Sequence, residues 1–378
     1  MPQEAVLRNA TIVLRDEVKT GAVLIRDGRI ADVSSSSAVG EDMDGDYLIP
    51  GLVELHTDHL EGHYSPRPGV RWNAIAAVQA HDAQIAASGI TTVFDCLRMG
   101  SDEDGGFDPH EMRLLADAIE AAQGHGRLRA EHLLHLRCEV SSPDVLDALE
   151  RFRDDRNVRL ASLMDHAPGQ RQFQTMEQYT LYYKTKRGMS DEAFERYVAS
   201  RKEQSARYSS VHRKAIAEHC RDAGVTLASH DDATLAHVDE AVTDGVRLAE
   251  FPTSLEAARA SHEAGMSVLM GAPNIVRGGS HSGNIAARDL ADAGILDVLS
   301  SDYIPSSLVH AAFLLADGEG GISLPEAVAL VTSTPARTVG LDDRGEIAPD
   351  KRADLVRVRQ HHGIPTVRSV WRRGERVT

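Results

Sequence analysis

Two kinds of apolar pattern alternate along the middle of the chain. Short, nearly continuous apolar runs end in polar clusters, and amphipathic stretches of longer period separate them. The runs are LIPGLVELHTDHLEGH (48–63), GITTVFDC (89–96), HLLHLRCEV (132–140), VRLASLMDH (158–166), VTLASHDD (225–232), VRLAEFPTS (246–254), MSVLMGAPN (266–274) and LDVLSSDY (296–303). Continuous rather than alternating apolar runs are how strands buried on both faces read, which is the pattern of a parallel sheet. The spacing predicts helices over 73–88, stopped by Gly89, and over 108–123, stopped by Gly124. Ser142-Pro143 predicts another helix start, and Ser323 with Pro325 a last long helix. Eight strands alternating with helices predict an α/β fold, a parallel (β/α)8 barrel of TIM type.

The two ends of the chain read differently. Residues 4–33 and 344–377 form short strand patterns broken by turns, among them Arg26-Asp27-Gly28-Arg29 with the Asp-Gly signature of a tight hairpin. These ends predict a small β-sandwich module built from both termini, 1–49 plus 341–378, around a barrel over 50–340. One connection is too long for a plain crossover. Residues 167–224 hold a loop and two polar helical stretches, around 179–187 and 191–221, and long insertions at a catalytic face serve as lids or substrate-binding arms.

Composition narrows the classes. With 57 acidic against 41 basic residues the formal net charge is −16, which speaks against a nucleic-acid binder. An anionic small substrate remains compatible, because clustered arginines reverse the field locally. Cys96, Cys138 and Cys220 are far apart and odd in number, so no disulfide framework or thiolate metal site is expected. Neither a signal-peptide pattern nor an apolar window of membrane-spanning length is present, so a soluble, cytoplasmic setting is the expectation.

The chemistry sits where strands end. In the first strand, residues two apart project to one face, so Glu54, His56 and Asp58 share a side while Val53 and Leu55 pack to the other. A His and an Asp so spaced grip one metal ion; the competing reading is a polar strand end in a solvated loop. Seven further strands add acids and imidazoles at their carboxyl ends, which favours the metal. Glu139 shares a face with His135 and Arg137, and a metal-bridging carboxylate is favoured there over a buried Arg137–Glu139 pair. His166 is a ligand or a loop hydrogen-bonder, and His230 is a ligand with Asp231 as its supporting carboxylate. Asp302 serves as ligand and general base. Glu250 is a supporting candidate; His59, Glu61 and His63 are groups around the metal or solvent-facing. His110, His125, His212, His361 and His362 read as surface residues.

Imidazoles and carboxylates without thiolate suit one or two divalent ions, Zn²⁺, Mn²⁺ or Fe²⁺. Such a site lowers the pKa of water and points to hydrolysis. On the substrate side, Arg67, Arg98, Arg171, Lys184 and Arg277, with His281 on the glycine-rich RGGSHSGN loop, would form a socket for an oligophosphate, although each alone reads as a solvated charge.

These residues carry a resemblance. The strands split between both termini, PGLVELHTD, and the late RGEIAPDKRADLV resemble the amidohydrolase superfamily. ELHTDHLEGHYSPRPGV, AHDAQIAASGITTVFD, LMDHAPGQRQF, SHDDAT, AEFPTSLEAA, LMGAPNIVRGGSHSGN and LSSDYIPSSL together resemble its α-D-ribose 1-methylphosphonate 5-triphosphate diphosphatase (PhnM) family, from the first barrel strand to the last. The resemblance implies release of diphosphate from a ribosyl triphosphate in the carbon–phosphorus lyase pathway. It also implies metal roles for His56, Asp58, Glu139, His166, His230 and Asp302. Two positions depart from that family's expected pattern, His59 where Asn is expected and Gly62 where a basic residue is expected. A second hypothesis keeps the fold and makes the substrate an amide or cyclic amide. A third makes the chain a catalytically silent assembly subunit. Homo-oligomers are common for such barrels, but nothing in these residues specifies one.

Overall fold

The computed structural model describes residues 4–101, 108–171, 180, 189–280, 283–317 and 321–378. All eight runs form parallel strands of one sheet: β6 (Leu52–Thr57), β7 (Ile90–Met99), β8 (Glu131–Glu139), β9 (Val158–Met164), β10 (Thr226–His230), β11 (Leu248–Glu250), β12 (Ser267–Gly271) and β13 (Val298–Ser300) follow one another in sequence order. The first and last meet through a parallel bridge between Thr57 and Asp302, so the sheet curls into a nearly closed barrel.

A second, mixed sheet draws on both ends of the chain. Its strands are β1 (Glu4–Val13), β2 (Val18–Arg26), β3 (Arg29–Ser34), β4 (Glu41–Asp42), β5 (Tyr47–Pro50), β14 (Leu355–His361), β15 (Ile364–Arg372) and β16 (Glu375–Arg376). Their order is β16-β15-β14-β5-β1-β2-β3, with β4 also on β1. Asp27 and Gly28 take positive φ in the hairpin between β2 and β3, as the Asp-Gly pattern requires. Leu7, Ile12, Ile25 and Leu48 from the amino-terminal end bury against Leu355 and Trp371 from the other. Gly51 follows β5 directly, and a Cβ there would collide with the Thr91 hydroxyl, so only glycine fits at that step.

The chain divides into two compact units: Met1–Asp95, Asp117–Leu133 and Met270–Thr378 form the first, Cys96–Ala116 and Leu134–Leu269 the second. In the first, α1 (His59–Tyr64) and α2 (Ala74–Ala87) follow β6, and the Asn73 side chain caps α2 by accepting from the Ala76 N–H. The helix opened by Ser323 is capped reciprocally by Ser323 and Glu326 in a capping box but ends at Ala329, and a separate short helix covers Ser333–Thr338. Pro335 lacks the N–H that would continue one long helix from Ser323.

In the second unit, α3 (Pro109–Gly124) contributes its first turns and α4 (Val145–Glu150) follows β8. The 167–224 insertion contains α5 (Asp191–Ala223), 33 residues long, capped by Ser190 and closed by Gly224 in the left-handed conformation. Its buried face runs through Phe194, Arg201, Ser205, His212, Arg213 and Ile216, at helical spacing. His212 is therefore no surface residue; its Nδ1 meets the Val140 carbonyl at 3.0 Å. The stretch predicted around 179–187 lies outside the described residues apart from Thr180. Among the described residues no helix is long and apolar enough to cross a membrane.

Candidate functional site

In the first unit, the barrel seam fixes His56, Asp58 and Asp302 through the backbone. The Asp58 N–H donates to the Asp302 carbonyl at 3.0 Å, and the Asp302 N–H to the His56 carbonyl at 3.2 Å. The Thr57 and Ser300 hydroxyls donate to the same two carbonyls at 3.1 and 2.5 Å. Asp302 has φ +54°, a left-handed conformation that costs a non-glycine residue energy and that these hydrogen bonds impose. Asp58 precedes α1 without spending its carboxylate on a cap. Beneath them Glu54 is wholly buried and accepts from the His56 N–H at 2.6 Å and the Ser301 N–H at 2.5 Å. Burial pushes its carboxyl up to about 7 against those hydrogen bonds.

In the second unit, Glu139, His166, His230 and Asp231 converge at the ends of β8, β9 and β10. His166 Nδ1 lies 2.7 Å from Glu139 Oε2, and the Ser141 hydroxyl donates to Glu139 Oε1 at 2.5 Å. Arg201 of α5 donates to Oε1 at 3.3 Å and to Ser141 Oγ at 3.0 Å. Burial opposes ionisation of Glu139, but the His166 imidazole and Arg201 guanidinium outweigh it and hold the carboxyl at about 2. His166 is raised in turn: burial works against its cation, and Glu139 and Asp231 more than offset it. His230 Nδ1 is 2.8 Å and His166 Nε2 3.8 Å from Asp231 Oδ2. Among the described residues that buried oxygen accepts no hydrogen bond. His166, His230 and Asp231 offer ligand atoms all within 4.8 Å of one another. Asp231 and Phe251, at the ends of β10 and β11, also take positive φ, which turns the chain sharply at the strand ends.

Glu250 is paired in register with His230, but its carboxylate accepts from the Ser162 hydroxyl at 2.6 Å. Ser162 also meets His135 Nε2, while His135 Nδ1 lies 3.4 Å from the Cys96 sulfur. Arg137 reaches the Met164 sulfur at 3.5 Å, and the Arg201 guanidinium meets Glu139 at 3.3 Å.

The basic candidates separate. Arg67 is exposed in the turn after α1, Arg277 is exposed at the end of the helix Ala272–Arg277, and Arg98 is half-buried in β7. Arg171 is buried, its guanidinium bonded to Asp232 and Glu240, so it is held by carboxylates instead of standing as an open rim cation. Lys184 and His281 lie outside the described residues.

A buried network without a counterpart among the sequence candidates runs behind β7 and β8. His81 Nε2 meets Asp95 Oδ1 at 2.7 Å, and His132 Nδ1 meets the other oxygen of Asp95 at 2.7 Å. His132 Nε2 lies 3.3 Å from Asp82, which also accepts from the N–H groups of Arg129 and Ala130. Burial opposes the His132 cation, but Asp95 and Asp82 raise it to about 9. At the near end, His59 is half-buried beside His81 and His63; burial and those two rings hold it down to about 4. His63 is lowered by burial and by His81, and Glu61 on the same helix is half-buried.

The fold and these strand-end clusters agree with comparison to known proteins. Residues 73–378 match the amidohydrolase family, and the chain belongs to it. Within it, the chain is 48% identical over 376 residues to the α-D-ribose 1-methylphosphonate 5-triphosphate diphosphatase of Escherichia coli (strain K12), spanning 98% of this chain and 100% of that protein. It is 24% identical to the imidazolonepropionase of Streptomyces coelicolor, over 95% and 92% of the two chains. Among solved structures, a Xaa-Pro dipeptidase superposes with a TM-score of 0.67 at 14% identity, covering 99% of each chain. Dihydropyrimidinase from Brevibacillus agri does so with a TM-score of 0.61 at 15% identity, covering 99% and 95%. These two likenesses establish the fold.

Proposed function

We propose that the chain is a divalent-metal-dependent hydrolase of a phosphoric anhydride, releasing diphosphate from α-D-ribose 1-methylphosphonate 5-triphosphate and leaving the ribosyl 5-phosphate. The observation that carries this reading is the 48% identity to the E. coli diphosphatase, which extends over the full length of that protein.

The donor set fits a metal. A buried Asp231 oxygen without a hydrogen bond, close to two imidazoles, is what a cation would satisfy, and the absence of thiolates favours Zn²⁺, Mn²⁺ or Fe²⁺. His56, Asp58, Glu139, His166, His230 and Asp302 are the residues proposed to hold it, as one ion or two. When bound, such an ion lowers the pKa of water toward neutrality and polarises a phosphoryl oxygen.

The chain's own groups do the rest. Asp302, pinned by the seam, accepts the proton of the attacking water as its oxygen bonds to phosphorus and the bond to the leaving diphosphate breaks. Glu139 keeps His166 oriented and charge-compensated, and Arg201 steadies Glu139. Arg67, Arg98 and Arg277 are proposed to neutralise the oligophosphate, together with Lys184 and His281.

The test is a parallel turnover screen of the metal-loaded protein on the ribosyl triphosphate and on cyclic amides. Diphosphate release without amide opening supports the reading. Amide hydrolysis without diphosphate release replaces it with the cyclic-amide alternative. Inactivity on both, with no metal retained, returns the silent-scaffold alternative.

A further inference from the structure

Outside the strand-end groups assigned above, a cluster of metal-competent side chains converges from two helices. His59 and His63 stand four residues apart on α1 and so share a face of one turn. His81 comes from the middle of α2. The Nδ1 atoms of His59 and His81 are 3.2 Å apart, and the three imidazoles offer nitrogens all within 4.8 Å of one another. Ring centroids are separated by 4.8, 5.5 and 6.0 Å with interplanar angles of 70°, 34° and 60°, so the rings are tilted and not stacked. Nitrogens bound tetrahedrally at about 2.0 Å from zinc sit about 3.3 Å apart, which the His59–His81 pair already matches. Small rotations of the half-buried His63 would bring in the third.

The surroundings prepare these rings as ligands. His81 is wholly buried, and its Nε2 is committed to Asp95 at 2.7 Å. A carboxylate only accepts, so His81 Nε2 is the donor to Asp95, which leaves Nδ1 as the ring nitrogen facing His59. Asp95 is itself fixed from its other side by His132 at 2.7 Å. A ligand imidazole backed by an oriented carboxylate is a recurring support for bound zinc. Asp95 and His132 behind His81 do not compete, since both are fully buried and bonded to each other at 2.7 Å. His59 and His63, by contrast, are half-buried and leave a side open to water.

We infer that His59, His63 and His81 form a second transition-metal site, with ligands separate from the strand-end set, taking Zn²⁺ or another imidazole-preferring divalent ion and leaving its remaining position to water. The inference does not depend on the reaction proposed above, because it concerns binding alone.

The experiment strips the full-length protein with chelator and titrates Zn²⁺ by calorimetry into native protein, His63→Ala and His59→Asn, with folding checked by circular dichroism. The native protein is expected to take up one more tight equivalent than either variant. Co²⁺ loading should show a visible ligand-field band that His63→Ala diminishes and His56→Ala leaves in part. Should His63→Ala fail to fold, His59→Asn keeps a polar side chain and carries the same comparison. Equal zinc uptake and unchanged cobalt spectra in native protein and folded variants would overturn the inference and leave the three rings as a hydrogen-bonded group.

Discussion

His166 Nδ1 lies 2.7 Å from Glu139 Oε2, and the His166 backbone N–H donates to the other oxygen of that carboxylate at 3.2 Å. Two strand ends are thereby locked together, the acid far below its usual range and the imidazole raised above its own. Glu139→Gln keeps the shape and removes the charge. In metal-free protein the His166 titration, followed by NMR, should fall back toward the ordinary imidazole range. Turnover should drop by roughly 10²-fold or more. An unmoved His166 would mean that Glu139 does not govern its charge.

Asp302 is placed by backbone bonds to Asp58 and His56, so its replacement should disturb chemistry more than folding. Asp302→Asn is expected to lower kcat by roughly 10²–10⁴-fold with KM little changed. A variant whose KM rises while kcat holds would make Asp302 a binding group instead of the base.

Arg171 tests whether a basic residue serves substrate or fold. Its buried guanidinium meets Asp232, also buried, and Glu240. Removing one partner of a buried pair costs about 3–5 kcal/mol. Arg171→Met should therefore lower the thermal midpoint markedly, while KM for the triphosphate in the folded fraction stays near native. A large rise in KM at unchanged stability would restore the substrate role expected from the sequence.

The His132–Asp95–Asp82 network makes stability depend on pH in a definite direction. His132 is raised from 6.5 to about 9, so its stabilisation is complete below pH 6.5 and is lost as pH rises through 9. Asp95 is lowered, so its contribution is present above the usual carboxylate range and is lost only well below it. In chelated buffer, the unfolding free energy of native protein relative to His132→Gln should shrink between pH 7 and about 9.5. A constant difference over that range would contradict a charged His132.

The strand ends were legible because they combine two local signals, an apolar run and the polar cluster that stops it. Asp58, Glu139, His230 and Asp302 could thus be placed at the barrel rim without any knowledge of pairing. The His81–Asp95–His132 network was not legible in this way. Its members are 14 and 37 residues apart, and His81 and His132 each sit inside an apolar pattern where a histidine looks like an ordinary core residue. His212 was hidden by the polar character of the 33-residue helix around it, whose buried face is a narrow stripe. Arg171 carried no local sign of Asp232 and Glu240, 61 and 69 residues further on, and the break after Ala329 depended on where Pro335 fell.

The central claim is metal-dependent cleavage of a phosphoric anhydride, and phosphorus NMR of the purified chain with the ribosyl triphosphate tests it most directly. With Mn²⁺, Fe²⁺ or Zn²⁺ supplied, the account predicts diphosphate and the ribosyl 5-phosphate in equal amounts, abolished by chelator, restored by metal and nearly absent for Asp302→Asn. An unchanged triphosphate spectrum under every metal, or diphosphate release that persists in chelator, would contradict it.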